Sequence, residues 1–237
     1  MRLIVTRPEN DLAPLIETLR ARGHFPIAAP LLTIRLRPDT AIPAGDFQAI
    51  ALTSANAMMH PALNPAPSTL GALKVFAVGA QSAKAAHRAG YGDVRGEGGD
   101  VKGLAGAIAR DCNPDEGPIL YPSGAEMAGD LKGMLAGQGF GVERVILYDA
   151  VPAEKLVPEA IAALRDGSAD GVLLYSPRSA RIWSSLVAES GLTDAARRIA
   201  YFCLSPNVAA GLGNGYNTKV AARPDEPSLL ALLDRSP

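Results

Sequence analysis

The chain has 237 residues, with 23 Lys and Arg against 24 Asp and Glu, and a formal charge of −1. That length accommodates one large α/β domain or two of roughly 110–120 residues, and 48% hydrophobic against 20% charged residues is ample for real cores. Nucleic acid held by bulk charge is excluded, because it needs a surplus of Lys and Arg, and 5% aromatic residues leave few platforms for stacked bases.

In chain order, Leu3-Ile4-Val5 predicts a buried strand, too short for a signal-peptide core and closed by Arg7-Pro8. Asn10 or Asp11 is placed to cap a helix carrying Leu12, Leu15, Ile16 and Leu19 on one face, ended by Gly23. Residues 26–34 contain an extended segment. Ala49-Ile50-Ala51-Leu52 and Val75-Phe76-Ala77-Val78 read as further strands, the second leading into a helix from near Ser82. A short strand around Val94 and a helix capped by Asp100, with Leu104 and Ile108 inward, follow. Next come Ile119-Leu120-Tyr121, a helix with Leu131, Met134 and Leu135, Gly139, and a strand over 142–148. The remainder repeats the scheme: Gly171-Val172-Leu173-Leu174, Ala200-Tyr201-Phe202-Cys203, a helix from near Asn207, a strand around Val220, and a helix with Leu229, Leu230 and Leu233.

Several cofactor chemistries have no footing. Gly96-Glu97-Gly98-Gly99 lacks the spacing of a dinucleotide loop and no P-loop is present, so neither ATP nor a redox cofactor is expected. His24, His60 and His87 are isolated, read as surface or loop residues, and no metal site is expected. No stretch approaches the roughly 18 apolar residues of a membrane span. Cys112 and Cys203 make no disulfide framework, which points to a cytoplasmic protein with reduced thiols.

The units recur in the order A, B, A′, B′ at spacings of about 116 to 126 residues, with Gly23 matching Gly139 and Leu19 matching Leu135. Duplication therefore predicts two similar α/β domains, each a doubly wound, flavodoxin-like parallel sheet with helices on both faces, and a cleft between them. In such sheets ligands sit at the carboxyl ends of the strands. The turns there are Thr6-Arg7, Thr53-Ser54-Ala55-Asn56, Gly79-Ala80-Gln81-Ser82, Pro122-Ser123-Gly124, Ser176-Pro177-Arg178-Ser179 and Ser205-Pro206-Asn207. Small, hydroxylated residues entering helices favour anion binding by open N–H groups; the plainer alternative for each turn is that Ser, Thr and Asn simply cap helices. Arg7 and Arg178 would add full charges, or else form surface salt bridges. Tyr148 is the one strand-end residue able to donate a proton; a tyrosine there is otherwise a packing residue.

With these residues set out, the chain resembles the uroporphyrinogen-III synthases. The resemblance rests on Val5-Thr6-Arg7-Pro8, Pro30-Leu31-Leu32-Thr33-Ile34, Leu52-Thr53-Ser54-Ala55-Asn56-Ala57, the Ala77-Val78-Gly79 turn with Ser82-Ala83, and the segment from Gly124 to Tyr148, and it spans essentially the whole chain. It implies a chain that starts in one domain, makes the second and returns, so that 1–35 plus 152–237 form the first domain and 38–149 the second, joined by a two-stranded linker. It implies a cofactor-free, monomeric lyase of heme biosynthesis that cyclises hydroxymethylbilane, a linear tetrapyrrole with eight carboxylates, with inversion of ring D and loss of water. Tyr148 matches the family's tyrosine and is expected to assist departure of hydroxide. Thr6, Arg7, Thr53, Ser54, Ala55, Asn56, Gly79, Gln81, Ser82, Ser123, Gly124, Ser176, Pro177, Arg178, Ser179 and Asn207 are the expected substrate contacts. A transient contact with the preceding pathway enzyme is a further expectation. Val208 and Ala128 stand where the family commonly carries threonine and arginine, and receive no role. The rival readings are a two-domain small-molecule binding protein, a nucleotide-sugar transferase and a catalytically silent homologue.

Overall fold

The computed structural model describes residues 1–96, 99–127 and 129–234. Glu97-Gly98 of the glycine-rich loop, and Ala128, lie outside the described residues. The elements are β1 (Arg2–Val5), α1 (Glu9–Ala21), β2 (Phe25–Ala28), β3 (Leu32–Leu36), β4 (Ala49–Leu52), β5 (Lys74–Ala77), α2 (Ala80–Ala89), β6 (Val94–Gly96), α3 (Val101–Asp111), β7 (Ile119–Gly124), α4 (Leu131–Ala136) and β8 (Val142–Pro152). They continue with α5 (Pro158–Arg165), β9 (Gly171–Leu174), α6 (Pro177–Glu189), α7 (Thr193–Ala196), β10 (Ala200–Cys203), α8 (Pro206–Leu212), β11 (Asn217–Val220) and α9 (Glu226–Leu230). The chain divides into two compact units, Met1–Thr33 with Val151–Pro237, and Ile34–Ala150.

The first unit holds a parallel five-stranded sheet in the order β11-β10-β9-β1-β2. Alternation along β1 sends Leu3 and Val5 to one face, with Leu12, Leu15 and Leu19 of α1 and Leu229 of α9. It sends Ile4 to the other, with Ala160 of α5, Trp183 of α6 and Val208 of α8. Trp183 donates its indole N–H to Tyr201 Oη at 3.1 Å, which satisfies the polar handle of a fully buried ring.

The second unit holds the order β3-β8-β7-β4-β5-β6. Ile50 and Leu52 face Ala86 of α2 and the 3-10 turn Ala55–Met59. Ala49 and Ala51 face Leu104 and Ile108 of α3 and Leu131 and Leu135 of α4. Both sheets are thus covered on both faces, the arrangement of a doubly wound α/β fold.

The two strand orders coincide once the repeated units are matched. Setting β7 and β8 against β1 and β2, and β4, β5 and β6 against β9, β10 and β11, gives the same neighbours in both sheets. The helix ends agree as well. Gly23 and Gly139 both take positive φ (+76° and +88°), the left-handed region where a Cβ is strained. Each lets the next N–H reach back into its helix, His24 to Leu19 O at 3.0 Å and Phe140 to Leu135 O at 3.1 Å.

Three local expectations are corrected. α1 begins at Glu9 behind Pro8 and has no side-chain cap, because the Asp11 carboxylate is taken by Arg7 at 2.8 Å. His60 is fully buried, not a surface residue: Nδ1 accepts from Ala62 N–H (3.2 Å) and Nε2 faces Arg37 O (2.8 Å). The strand containing Tyr148 does not end there but runs on to Pro152.

Candidate active site

In the second sheet the connections diverge between β4 and β7, where chain direction carries β4 toward β5 and β7 toward β8. The carboxyl ends of two such strands leave a crevice, the usual ligand position in a doubly wound sheet. Tyr148 is aimed there by an irregularity. Register along β7 and β8 runs Ser123 to Ile146 and then Gly124 to Tyr148, so Leu147 is an extra, bulged residue. Val145, Leu147 and Tyr148 consequently join one buried cluster, which strict alternation would forbid.

Gly124 is the floor under the phenol. A Cβ built on it would lie 2.7 Å from Tyr148 Cε2 and 2.9 Å from Cζ, so only glycine admits the ring at this approach. Ala125 N–H also donates to Tyr148 O at 2.9 Å. Burial pushes the Tyr148 phenol above its ordinary value; hydrogen bonding with Ser54 opposes this, Tyr121 adds to it, and the Gly124 backbone opposes it. The phenol is therefore protonated at neutral pH, a donor rather than a base.

On the other face of the same strands, Thr53 Oγ1 lies 3.3 Å from Tyr121 Oη. Arg144, on β8, donates from Nε to Ser123 Oγ at 2.9 Å. It also donates from Nη2 to the carbonyls of Gly124 at 2.7 Å and Ala125 at 2.9 Å. Neither Tyr121 nor Arg144 is among the residues expected from the sequence. The only signal for Arg144 is a basic residue on the strand after Gly139, and its cross-strand reach to Ser123 is not a local property.

The expected contacts fare unequally. Pro122-Ser123-Gly124 is not a turn entering a helix but the buried end of β7, so its N–H groups belong to a strand. Ser54 accepts from Asn56 N–H (3.2 Å) and opens a 3-10 turn, which places Ala55 and Asn56 within that turn. Gly79, Gln81 and Ser82 form the start of α2, which has no side-chain cap.

At the carboxyl edge of the first sheet, side chains are spent on the protein itself. Thr6 Oγ1 donates to Leu173 O at 2.7 Å and is buried. Arg7 pairs with Asp11 (2.8 Å) and Glu226 (2.9 Å) and lies 4.8 Å from the Tyr175 ring centroid, so its charge is compensated rather than held open. Ser176 caps α6 through Ser179 N–H (3.0 Å) and meets Ser179 Oγ at 2.9 Å, with Pro177 and Arg178 in the first turn between them. Ser205 caps α8 at Val208 N–H (3.4 Å), leaving Asn207 exposed. A groove of about 360 Å³ in this unit is lined by Ala153, Glu154, Leu186 and Glu189 among others. None of the expected residues lines it, and its carboxylates have the wrong sign for an anionic ligand. Among the described residues no cluster of three potential metal ligands occurs, and no helix is long and apolar enough to cross a membrane.

The model of the family described as uroporphyrinogen-III synthase HemD matches residues 13–234. The chain belongs to the uroporphyrinogen-III synthase family. Membership implies an enzyme of the lyase class acting on a tetrapyrrole, and favours that reading over a binding protein. The matched span takes in β4, β7, β8 and Tyr148 but not Thr6 and Arg7. Among solved structures, uroporphyrinogen-III synthetase from Helicobacter pylori is 17% identical with a TM-score of 0.67, over 99% of each chain. A mutant uroporphyrinogen III synthase from the extremely thermophilic bacterium Thermus thermophilus is 16% identical with a TM-score of 0.53, over 99% of this chain and 98% of that one. At such identities these two establish a shared fold. No curated protein sequence matches the chain.

Proposed function

We propose that the chain cyclises hydroxymethylbilane to uroporphyrinogen III without a cofactor, with Tyr148 as its proton donor. The observation that carries this reading is a buried phenol seated directly over Gly124 by a strand bulge. As the terminal C–O bond of the substrate breaks, the phenol donates to the departing hydroxyl, which leaves as water. The resulting azafulvene is attacked by the substituted carbon of ring D. The spiro intermediate then fragments and recloses with that ring inverted, and a proton is lost. Because the bilane closes unaided to the type I isomer, most of the enzyme's work is to hold the chain in one folded arrangement.

The carboxylates of such a substrate need local donors, since charges are screened beyond about 8 Å at physiological salt. Thr53, Ser54 and the uncapped start of α2, with Gly79, Gln81 and Ser82, are the proposed contacts in the second unit. Arg178 and Asn207 are those in the first. The cytoplasm, a monomeric state and a passing contact with the enzyme that supplies the bilane complete the reading. The test is to supply hydroxymethylbilane and resolve type III from type I product. Type III product above the spontaneous background supports the proposal; type I alone, at the spontaneous rate, overturns it and leaves a silent homologue.

A further inference from the structure

We infer that Arg144 is a substrate-binding residue that takes one pyrrole carboxylate at the carboxyl end of β7 and β8, on the face opposite Tyr148; the identity of that ligand rests on the proposed function. Arg7, Arg22, Arg37, Arg95, Arg110 and Arg223 each sit against an Asp or Glu. Arg144 does not: among the described residues its partners are a hydroxyl and two carbonyls, all neutral. Its charge is half-buried and uncompensated, an arrangement that costs stability unless an anion completes it.

The guanidinium is also preorganised. Nε and Nη2 are committed to Ser123, Gly124 and Ala125, so the plane of the fork is set before any ligand arrives. Nη1 makes none of these bonds and keeps its donors for a carboxylate oxygen. The anchor it grips is the one that positions the phenol. Gly124 is both the acceptor for Nη2 and the surface against the Tyr148 ring, and Ala125 both accepts from Nη2 and donates to Tyr148 O. A carboxylate on Arg144 is thereby tied to the donor through one dipeptide. A lysine or glutamine elsewhere on β8 would not have that link.

Arg144→Gln removes the charge and keeps a polar side chain, while Arg144→Lys keeps the charge and loses the fork. Loss of one charge-assisted contact is expected to raise KM about tenfold or more in Arg144→Gln, with Arg144→Lys between it and wild type. Turnover should stay within about threefold and the salt dependence of KM should flatten. An unchanged KM with a lowered Tm would overturn the proposal and leave Arg144 a clip for the end of β7. Binding of uroporphyrin III, a stable octacarboxylate, separates this from failure of the functional reading. If wild type makes no type III product, that reading fails, yet tenfold weaker porphyrin binding by Arg144→Gln still supports a carboxylate site. Equal binding by both proteins, or none by wild type, overturns the site. Should Arg144→Gln fail to fold, an Arg144→Lys protein with wild-type KM and wild-type porphyrin binding overturns it, and weakened binding at unchanged Tm supports it.

Discussion

The carboxyl edges of the two sheets are built from matching repeats, yet they dispose of their polar groups differently. At the first, Arg7 is compensated by Asp11 and Glu226, Thr6 is bonded to Leu173 O, and Ser176 is folded onto its own helix. At the second, the ends of β7 and β8 hold a protonated phenol on one face and, on the other, a cation with neutral partners. Satisfied groups add stability and have little left for a ligand, whereas unsatisfied ones are costly to keep and reactive when met. The first edge thus commits most of its polar side chains to the protein itself, the buried Tyr175 hydroxyl being an exception. The other holds the groups to which the proposed chemistry is assigned.

The sharpest way to break this contrast is Tyr148→Phe, expected to lower turnover on the order of a hundredfold while leaving Tm nearly unchanged. Full activity in that variant would remove the donor from the mechanism. The same group sets a pH expectation. Since burial raises the phenol, it stays protonated through its ordinary value near 10 and ionises only above it. Turnover should therefore hold on approaching pH 10 and fall at higher pH, measured by product isomer analysis over the alkaline range. A fall centred well below pH 10 would mean that some other group limits the reaction.

Gly124→Ala comes next. Its Cβ would lie inside contact distance of the ring, so either the phenol or the β7 end must shift, at about 1–3 kcal/mol of stability. Turnover should drop about tenfold with it, because an ångström of misplacement is enough. Loss of stability with turnover intact would show that the phenol's exact seat does not matter. Arg7→Gln probes the opposite edge: two carboxylates lose their partner, and unfolding should become easier by about 1–3 kcal/mol. The effect belongs in the thermal midpoint more than in KM. A dominant KM effect would add Arg7 to the proposed contacts at the first edge.

The fold was legible because it is written in periodicity. Leu3-Ile4-Val5, Ala49-Ile50-Ala51-Leu52 and Gly171-Val172-Leu173-Leu174 are buried on both faces, and such runs announce parallel strands in the chain itself. The matched glycines at 23 and 139 were equally plain, because a left-handed helix end has a local signature. Of the proposed site, Tyr148 and Ser54 could be named from the sequence because each stands in or beside a strand-end segment that local patterning marks. Arg144 could not, since its role depends on reaching across to Ser123, and no local pattern encodes which strand lies beside which. That Arg7 takes the salt-bridge alternative and not that of an open charge is equally non-local: Glu226 lies 219 residues away in sequence.

The smallest expected effect sets the two matched serines against each other. Ser176 and Ser54 hold corresponding places, after β9 and after β4, and each accepts a hydrogen bond from a following N–H. Ser176 caps a 13-residue helix, so Ser176→Ala should cost about 1 kcal/mol, seen as a lower Tm. Ser54 caps only a 3-10 turn, and its hydroxyl also acts on the Tyr148 phenol, whose rise in pKa it opposes, so Ser54→Ala should cost less in Tm. Its loss should instead appear as a few-fold drop in turnover, because the phenol then loses the neighbour that opposes its rise in pKa. Opposite rankings in the two readouts, Tm and turnover, would mark the hydroxyl as structural at one edge and chemical at the other. Equal losses in both variants would erase the difference between the edges.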